Sequence, residues 1–122
     1  MSDVAECITK LRECAEELDH LSRSLHETER RLEPTEVQYR TFVDDFEVGL
    51  WKQHQDDGAK LPSEALRLKL AERAMDPALL GSYTGLVMAR KRAEKRIKDL
   101  RSAVDAQRSI LSALKVEQEA LR

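Results

Sequence analysis

The chain has 122 residues, of which 36% are charged and only 4% are aromatic, and its formal net charge at pH 7 is −2. So few bulky side chains exclude a thick globular core, and the abundance of Leu, Ala, Glu, Arg and Lys is typical of long helices with a narrow apolar stripe. No apolar run approaches the roughly 20 residues that span a bilayer, and the amino terminus lacks the features of a signal peptide. We therefore expect a soluble, cytoplasmic protein with no membrane partner.

The two parts of the chain carry opposite charges. Residues 1–57 have 7 basic and 15 acidic side chains, and residues 58–122 have 14 and 8, so the parts carry about −8 and +6. Opposite charges favour pairing between the two parts, within one chain or between chains, over a shared anionic partner.

The first predicted element is a long helix over residues 1–55. Fourteen positions recur at alternating steps of three and four residues, and eleven of them are apolar, which predicts a coiled-coil seam. These positions are Val4, Cys7, Leu11, Cys14, Leu18, Leu21, Leu25, Thr28, Leu32, Thr35, Tyr39, Phe42, Phe46 and Gly49. Pro34 lies within this pattern and removes a backbone hydrogen bond, so we predict a kink or a break there without a change of direction.

A loop and a short helix are predicted next. The polar stretch at residues 53–60 contains Gly58 and predicts a loop, which we place at residues 56–62. A short helix at residues 63–75 would follow and bracket the turn, with Leu66, Leu70 and Ala74 on its apolar face.

The last predicted element is a helix over residues 77–121. Asp76 and Pro77 form a start signal, because an aspartate side chain caps a helix and proline is favoured in its first turn. Ten of its thirteen seam positions are apolar. The positions are Leu79, Tyr83, Leu86, Arg90, Ala93, Ile97, Leu100, Val104, Gln107, Leu111, Leu114, Gln118 and Leu121.

These elements predict one all-α domain, a long antiparallel helical hairpin or coiled coil with the short helix as a bracket near the turn. Apolar residues beside the seam widen it in two places. The short helix would cover the set near the turn, which is Val43, Leu50, Leu80 and Val87.

The second widened place lies near the free ends, where folding back brings Ile8 and Ala15 beside Ala103 and Ile110. A lone pair of helices would leave these four side chains in water, and it buries too little surface to offset chain entropy. We therefore predict a homo-oligomer, most simply a dimer that forms a four-helix bundle. A different protein in the same place is the alternative.

No constellation in the sequence predicts catalysis. Cys7 and Cys14 are about 10.5 Å apart along a helix, too far to share a zinc ion, so we interpret them as core residues. The histidines, with His54 in the predicted loop, and the acidic residues near Asp44 lack ligand spacing and are interpreted as surface residues. Trp51 is predicted to pack beneath the short helix or, alternatively, to be an exposed anchor for a partner. We expect no metal, no other cofactor and no enzymatic activity.

A basic run at residues 90–101 is the feature that could contact nucleic-acid phosphates, because cations on consecutive helical turns can follow a backbone. Its cations are Arg90, Lys91, Arg92, Lys95, Arg96, Lys98 and Arg101. The acidic first part of the chain and the lack of interleaved aromatic residues favour a solvated, ion-paired face instead.

The order of features also suggests a family. A long first helix reaches Tyr39, and Tyr83 opens a long basic helix. The hinge and the carboxyl-terminal segment contain Lys60, Ser63, Glu64, Ala65, Arg67, Arg108, Ser109, Leu111, Ser112 and Leu114. This order resembles small coiled-coil accessory proteins from early or recombination gene clusters of temperate tailed phages. The resemblance implies a bacterial host cytoplasm and a setting near DNA recombination or host takeover, without a role for any single residue.

Two functional hypotheses follow. The first is a non-enzymatic, self-associating coiled-coil protein that binds a protein partner, as a phage accessory factor or an inhibitor of a host process. The alternative is a nucleic-acid-binding accessory protein of a recombination system that uses the basic run.

Overall fold

A computed structural model describes residues 3–121 of the chain. It contains three helices, α1 (Asp3–Asp57), α2 (Glu64–Ala74) and α3 (Pro77–Ala120), and residues 3–121 contain no β-strand. The all-α prediction is confirmed, and a long helix followed by a further long helix gives the predicted hairpin. Within the described residues, no helix combines the length and the apolar character that a membrane crossing requires.

Side chains at the seam positions form the buried sides of α1 and α3. Thirteen of the fourteen positions in α1 are buried or half-buried, the exception being Gly49. Eleven of the thirteen in α3 are buried or half-buried, the exceptions being Gln118 and Leu121. Apolar burial with a period of 3.5 residues is what joins the two long helices.

The chain divides into two compact units. The terminal unit comprises residues 1–27 and 89–122, and the middle unit comprises residues 28–88. Cys7, Ile97 and Leu100 are buried in the described part of the terminal unit. In the middle unit the buried residues are Leu32, Tyr39, Ala71 and Met75.

Pro34 lies inside α1, and the helix continues through it. Of the two predicted alternatives at this position, a break is therefore absent. The side chain of Pro34 is exposed, so its ring points away from the seam, and the seam residues Leu32 and Tyr39 on either side of it are both buried. Burial on one face of α1 offsets the hydrogen bond that proline cannot donate.

The end of α1 lies two residues beyond the predicted boundary. Gly58 adopts a positive φ of 66°, a conformation that favours glycine, and its backbone N–H donates to the carbonyl oxygen of His54 at 3.1 Å. His54 belongs to the polar stretch at residues 53–60 that suggested a loop, but it lies in the last turn of α1, where its Nδ1 contacts the carbonyl oxygen of Ala59. Gly58 therefore stops the helix, and the polar residues before it are helical.

Capping residues fix where the other two helices begin. The Ser63 hydroxyl accepts from the backbone N–H of Leu66 at 3.4 Å at the start of α2. The Asp76 carboxylate accepts from the backbone N–H of Ala78 at 3.0 Å, and Pro77 is the first residue of α3. The start signal read from Asp76 and Pro77 is confirmed.

The buried face of α2 differs from the predicted one. Ala71 has no exposed surface and Met75 is 3% exposed, whereas Leu66 is 47% exposed and Ala74 is exposed. The predicted face of Leu66, Leu70 and Ala74 is therefore wrong, because it lies about 100° around the helix from Ala71 and Met75. Two polar bonds between α1 and α2 accompany the observed orientation: Arg67 donates to Glu47, and the Tyr39 hydroxyl donates to Glu72.

Replacing Pro34 with alanine restores the missing backbone donor in a helix that is already continuous. We expect the free energy of unfolding of Pro34→Ala to rise by about 2 kcal/mol, less than the full cost of proline because alanine also frees the unfolded chain. Urea denaturation followed by circular dichroism measures the change, and Gln38→Ala is the exposed control. Equal stability of Pro34→Ala and the native chain would contradict the prediction that Pro34 destabilises α1.

The depth of burial should rank leucine substitutions. Leu100 is 4% exposed and Leu66 is 47% exposed. Leu100→Ala leaves a cavity at the seam and should lower the free energy of unfolding by about 2–4 kcal/mol, whereas Leu66→Ala should lower it by less than about 1 kcal/mol. Equal losses in the two variants, measured by urea denaturation, would contradict the burial assigned to the seam.

Candidate functional site

The most densely bonded cluster lies in the middle unit around Tyr39. The Tyr39 hydroxyl donates to Oε1 of Glu72 at 2.7 Å, which joins α1 to α2. The Tyr39 ring stacks on the ring of Tyr83, with centroids 3.8 Å apart and planes within 9°, which joins α1 to α3. One side chain therefore contacts all three helices, and the sequence predicted its seam position but not its bond to Glu72.

Burial raises the pKa of Tyr39 well above its usual value of 10.0, and the hydrogen bond to the Glu72 carboxylate and the charge of that carboxylate raise it further. The phenol is therefore neutral at physiological pH. This environment does not favour a proton-transfer role, because a general acid or base needs a pKa near the working pH. The cluster is a structural junction.

Removing the Tyr39 hydroxyl should show how much its hydrogen bond to Glu72 contributes to the free energy of unfolding, and how that contribution depends on pH. Tyr39→Phe keeps the stacked ring but loses the bond to Glu72, and we expect its free energy of unfolding at pH 7 to be lower by about 1–2 kcal/mol. Because the folded-state pKa is raised, the stabilisation is fully present below pH 10.0, the usual pKa of tyrosine, and declines as the pH rises above it. Urea denaturation at pH 7, 9, 10.5 and 11.5 should therefore show the gap between the native chain and Tyr39→Phe narrowing only above pH 10. A gap that stays constant to pH 11.5 would contradict this protonation.

A groove of about 440 Å³ lies between α1 and α2 in the middle unit. It is lined by Val43, Glu47, Glu64, Ala65 and Leu68. Glu47 of this lining accepts from Nε of Arg67 at 3.1 Å, and Nη1 of Arg67 donates to the carbonyl oxygen of Pro62 at 2.8 Å. The groove is therefore lined by apolar side chains and two carboxylates, of which that of Glu47 is paired.

Trp51 is 46% exposed and makes an edge contact with the ring of His54, with centroids 6.1 Å apart. The ring contact is thus with its own helix and not with α2. This placement favours the alternative prediction, an exposed anchor, over packing beneath the short helix.

An ion pair between α1 and α3 in the terminal unit shows which flanks of the two helices meet. Arg96 donates to Oε1 of Glu17 from Nε at 2.9 Å and from Nη2 at 2.8 Å. With the seam at heptad positions a and d, both residues occupy position g. Reversing one helix swaps its left and right flanks, so position g faces g, and e faces e, in an antiparallel pair.

This pairing corrects one expectation from the sequence. Ile8 and Ala15 occupy position e of α1, whereas Ala103 and Ile110 occupy position g of α3. The four side chains therefore lie on opposite sides of the terminal unit and not beside each other. All four are exposed, with Ile8 at 45% and Ile110 at 47%.

The side that carries Ala103 and Ile110 extends further along α3. Positions g and c are adjacent on the helix surface, and Ala106 and Ala113 at position c are also exposed. We call Ala103, Ala106, Ile110 and Ala113 the association face. The sequence prediction did not include Ala106 and Ala113, because it considered only positions e and g, directly beside the seam, and these two alanines lie one position further out.

The residues of the basic run do not share one face. Arg90 is at the seam, is half-buried, and approaches Glu94 at 4.0 Å, and Arg96 pairs with Glu17. Arg92 lies at position c, beside the line of the association face. Lys91, Lys95, Lys98 and Arg101 lie on the outward side, are exposed, and form no salt bridge with any residue between positions 3 and 121.

Comparison with known protein families, with curated proteins and with solved structures finds no match to this chain. The residues themselves therefore carry the functional argument.

Metal-binding side chains are not brought together in the part of the chain that the structure describes. Over residues 3–121 there is no group of three or more His, Cys, Asp or Glu side chains placed to hold a metal ion. Cys7 and Cys14 are free thiols on the α1 seam, the first buried and the second half-buried.

Proposed function

We propose that the protein is a non-enzymatic coiled-coil protein that self-associates as a dimer and presents a surface to a protein partner. The observation that supports this proposal is the exposed association face beside a seam that is only partly covered. In the terminal unit, side chains at most described seam positions remain half-buried, because each helix covers the other from one side. A second copy would supply the missing surface and complete a four-helix bundle.

The charges next to the two exposed flanks favour the association face as the dimer contact. On the side of Ile8 and Ala15, the facing positions e of α3 include Arg101, Arg108 and Lys115, which would repel the same residues of a second copy. The association face instead carries three alanines around Ile110, so two helices can approach closely there. Ile110 is 47% exposed, and burying that remaining surface contributes about 1 kcal/mol in each subunit.

Two isoleucines of nearly equal exposure provide a matched test. Ile110→Glu places a carboxylate in the proposed contact, and the cost of burying it should weaken the dimer by at least about 100-fold. Light scattering should then give a mass near 14.0 kDa for Ile110→Glu and near twice that value for the native chain at the same concentration. Ile8→Glu, on the opposite side, should remain a dimer.

Three results would contradict the proposal. They are a native chain that is monomeric at 100 µM, a dimer lost in Ile8→Glu but kept in Ile110→Glu, and a dimer kept in both variants. Circular dichroism of each variant shows whether its helices remain folded, and Ala106→Arg provides a second disruption of the association face if Ile110→Glu unfolds.

For the protein partner, the middle unit supplies the support. Trp51, Leu66 and Leu68 are between 41% and 47% exposed, and Leu68 lines the groove together with Val43, Ala65 and the carboxylates of Glu47 and Glu64. Such a surface fits an amphipathic helix with cationic edges. We also retain, as a proposal from the resemblance alone, that the protein is a phage accessory factor or an inhibitor of a host process in the bacterial cytoplasm.

A further inference from the structure

The outward face of α3 in the terminal unit is polar from residue 91 to residue 115. It consists of heptad positions b, e and f, and every residue at these positions is exposed. Six of these residues are cations, which we call the cationic face: Lys91, Lys95, Lys98, Arg101, Arg108 and Lys115. The other five are Glu94, Ser102, Asp105, Ser109 and Ser112.

The cations of this face are not neutralised by the acidic part of the chain. None of the six forms a salt bridge with a residue of the range 3–121, and the ion pair described between α1 and α3 in the terminal unit uses Arg96 instead. Glu94 and Asp105 are the two acids on the face, and Glu94 is directed to Arg90. The face therefore carries a surplus of about four positive charges that solvent alone screens.

We propose that the cationic face binds the phosphate backbone of a nucleic-acid double helix, DNA or RNA, without reading its sequence. Lys91 and Lys115 are about 36 Å apart along a continuous helix, close to one turn of B-form DNA. Because the phosphates wind around the duplex, a straight row of cations of that length would contact them where the two strands cross its path, and exposed serine hydroxyls such as Ser102 and Ser112 are suitable additional donors.

The composition of the face separates this partner from the others that cations could attract. A membrane-binding helix needs large apolar residues along the row of its cations. Positions b, e and f from 91 to 115 include none, and Val116, exposed at the next position f, is a single residue at one end of the face. A protein interface needs a buried aromatic or aliphatic anchor, which the face also lacks. Single strands are held by stacking bases on aromatic rings, and no aromatic residue occurs after Tyr83.

The test is binding of the full chain to labelled 24-base-pair duplexes, measured by fluorescence anisotropy between 50 and 300 mM KCl. Two unrelated DNA duplexes should bind with equal affinity, with a slope of log K against log salt near −5 if all six cations contact phosphates. The affinity for an RNA duplex of the same length, measured in the same way, shows whether the cationic face prefers DNA or RNA. Lys98→Glu/Arg101→Glu/Arg108→Glu should reduce affinity at 50 mM salt by at least about 100-fold and reduce the slope by about 3.

The matched control is a triple variant in the middle unit that changes the net charge of the chain by the same amount. Lys52, Lys60 and Lys69 are exposed residues of the middle unit, and Lys52→Glu/Lys60→Glu/Lys69→Glu should lose less than about 5-fold in affinity. An equal loss in both triple variants would overturn the assignment to the cationic face. If the first variant is not helical by circular dichroism, the same residues changed to glutamine replace it, with the same expected ranking.

Measurements with other ligands decide between a duplex, a single strand and a membrane as the partner of the cationic face. No duplex binding at 50 mM salt, tighter binding to a single strand of the same length, or binding only to vesicles that contain phosphatidylserine would each overturn the proposal. The inference does not depend on self-association, because Ile110→Glu retains all six cations and should bind the duplex as a monomer with the same salt slope per chain.

Discussion

The seam between α1 and α3 is the constraint on which the rest of the molecule depends. Each side chain of the seam is covered by the facing helix alone, because two helices can cover each other from one side only. Most of these side chains are therefore half-buried. What differs between the two units is the burial of the apolar residues that flank the seam. Val43, Leu50, Leu80 and Val87 are half-buried in the middle unit, which also contains α2, whereas Ile8 and Ile110 of the terminal unit are exposed. A third surface therefore decides whether an apolar flank is covered.

A heptad has seven positions and the seam occupies two, so five remain for other uses. On α3 of the terminal unit these five positions differ in composition. From residue 103 to residue 113, positions g and c carry the association face, whereas positions b, e and f from 91 to 115 carry six cations, three serines and two acids. Because helical geometry keeps these positions on different sides, one helix can bury a seam, offer an apolar contact and expose a charged row at the same time.

The sequence predicted what periodicity and capping determine: the all-α fold, the two seams, and the start of α3 at Asp76 and Pro77. It did not predict the face of α2, because two apolar faces compete on that helix and the polar bonds of Arg67 and Glu72 to α1 select one of them. It also grouped Ile8 with Ile110 by their level along the hairpin. The flank on which a residue lies depends on both the chain direction and the heptad position. The ion pair between Glu17 and Arg96 shows that position g of one helix faces position g of the other.

The two proposed surfaces of α3 are compatible because they lie on opposite flanks of the same helix. A dimer formed through the association face would cover Ala106 and Ile110 and leave the cationic face of each copy in solvent. Two such faces held in one assembly raise the effective concentration of the second face once the first is bound, so affinity for a long duplex would grow without any new contact. One face, with a surplus of about four charges, binds a short duplex as a monomer, and the dimer adds affinity on a long duplex, which gives a physical reason for both surfaces to occur on α3.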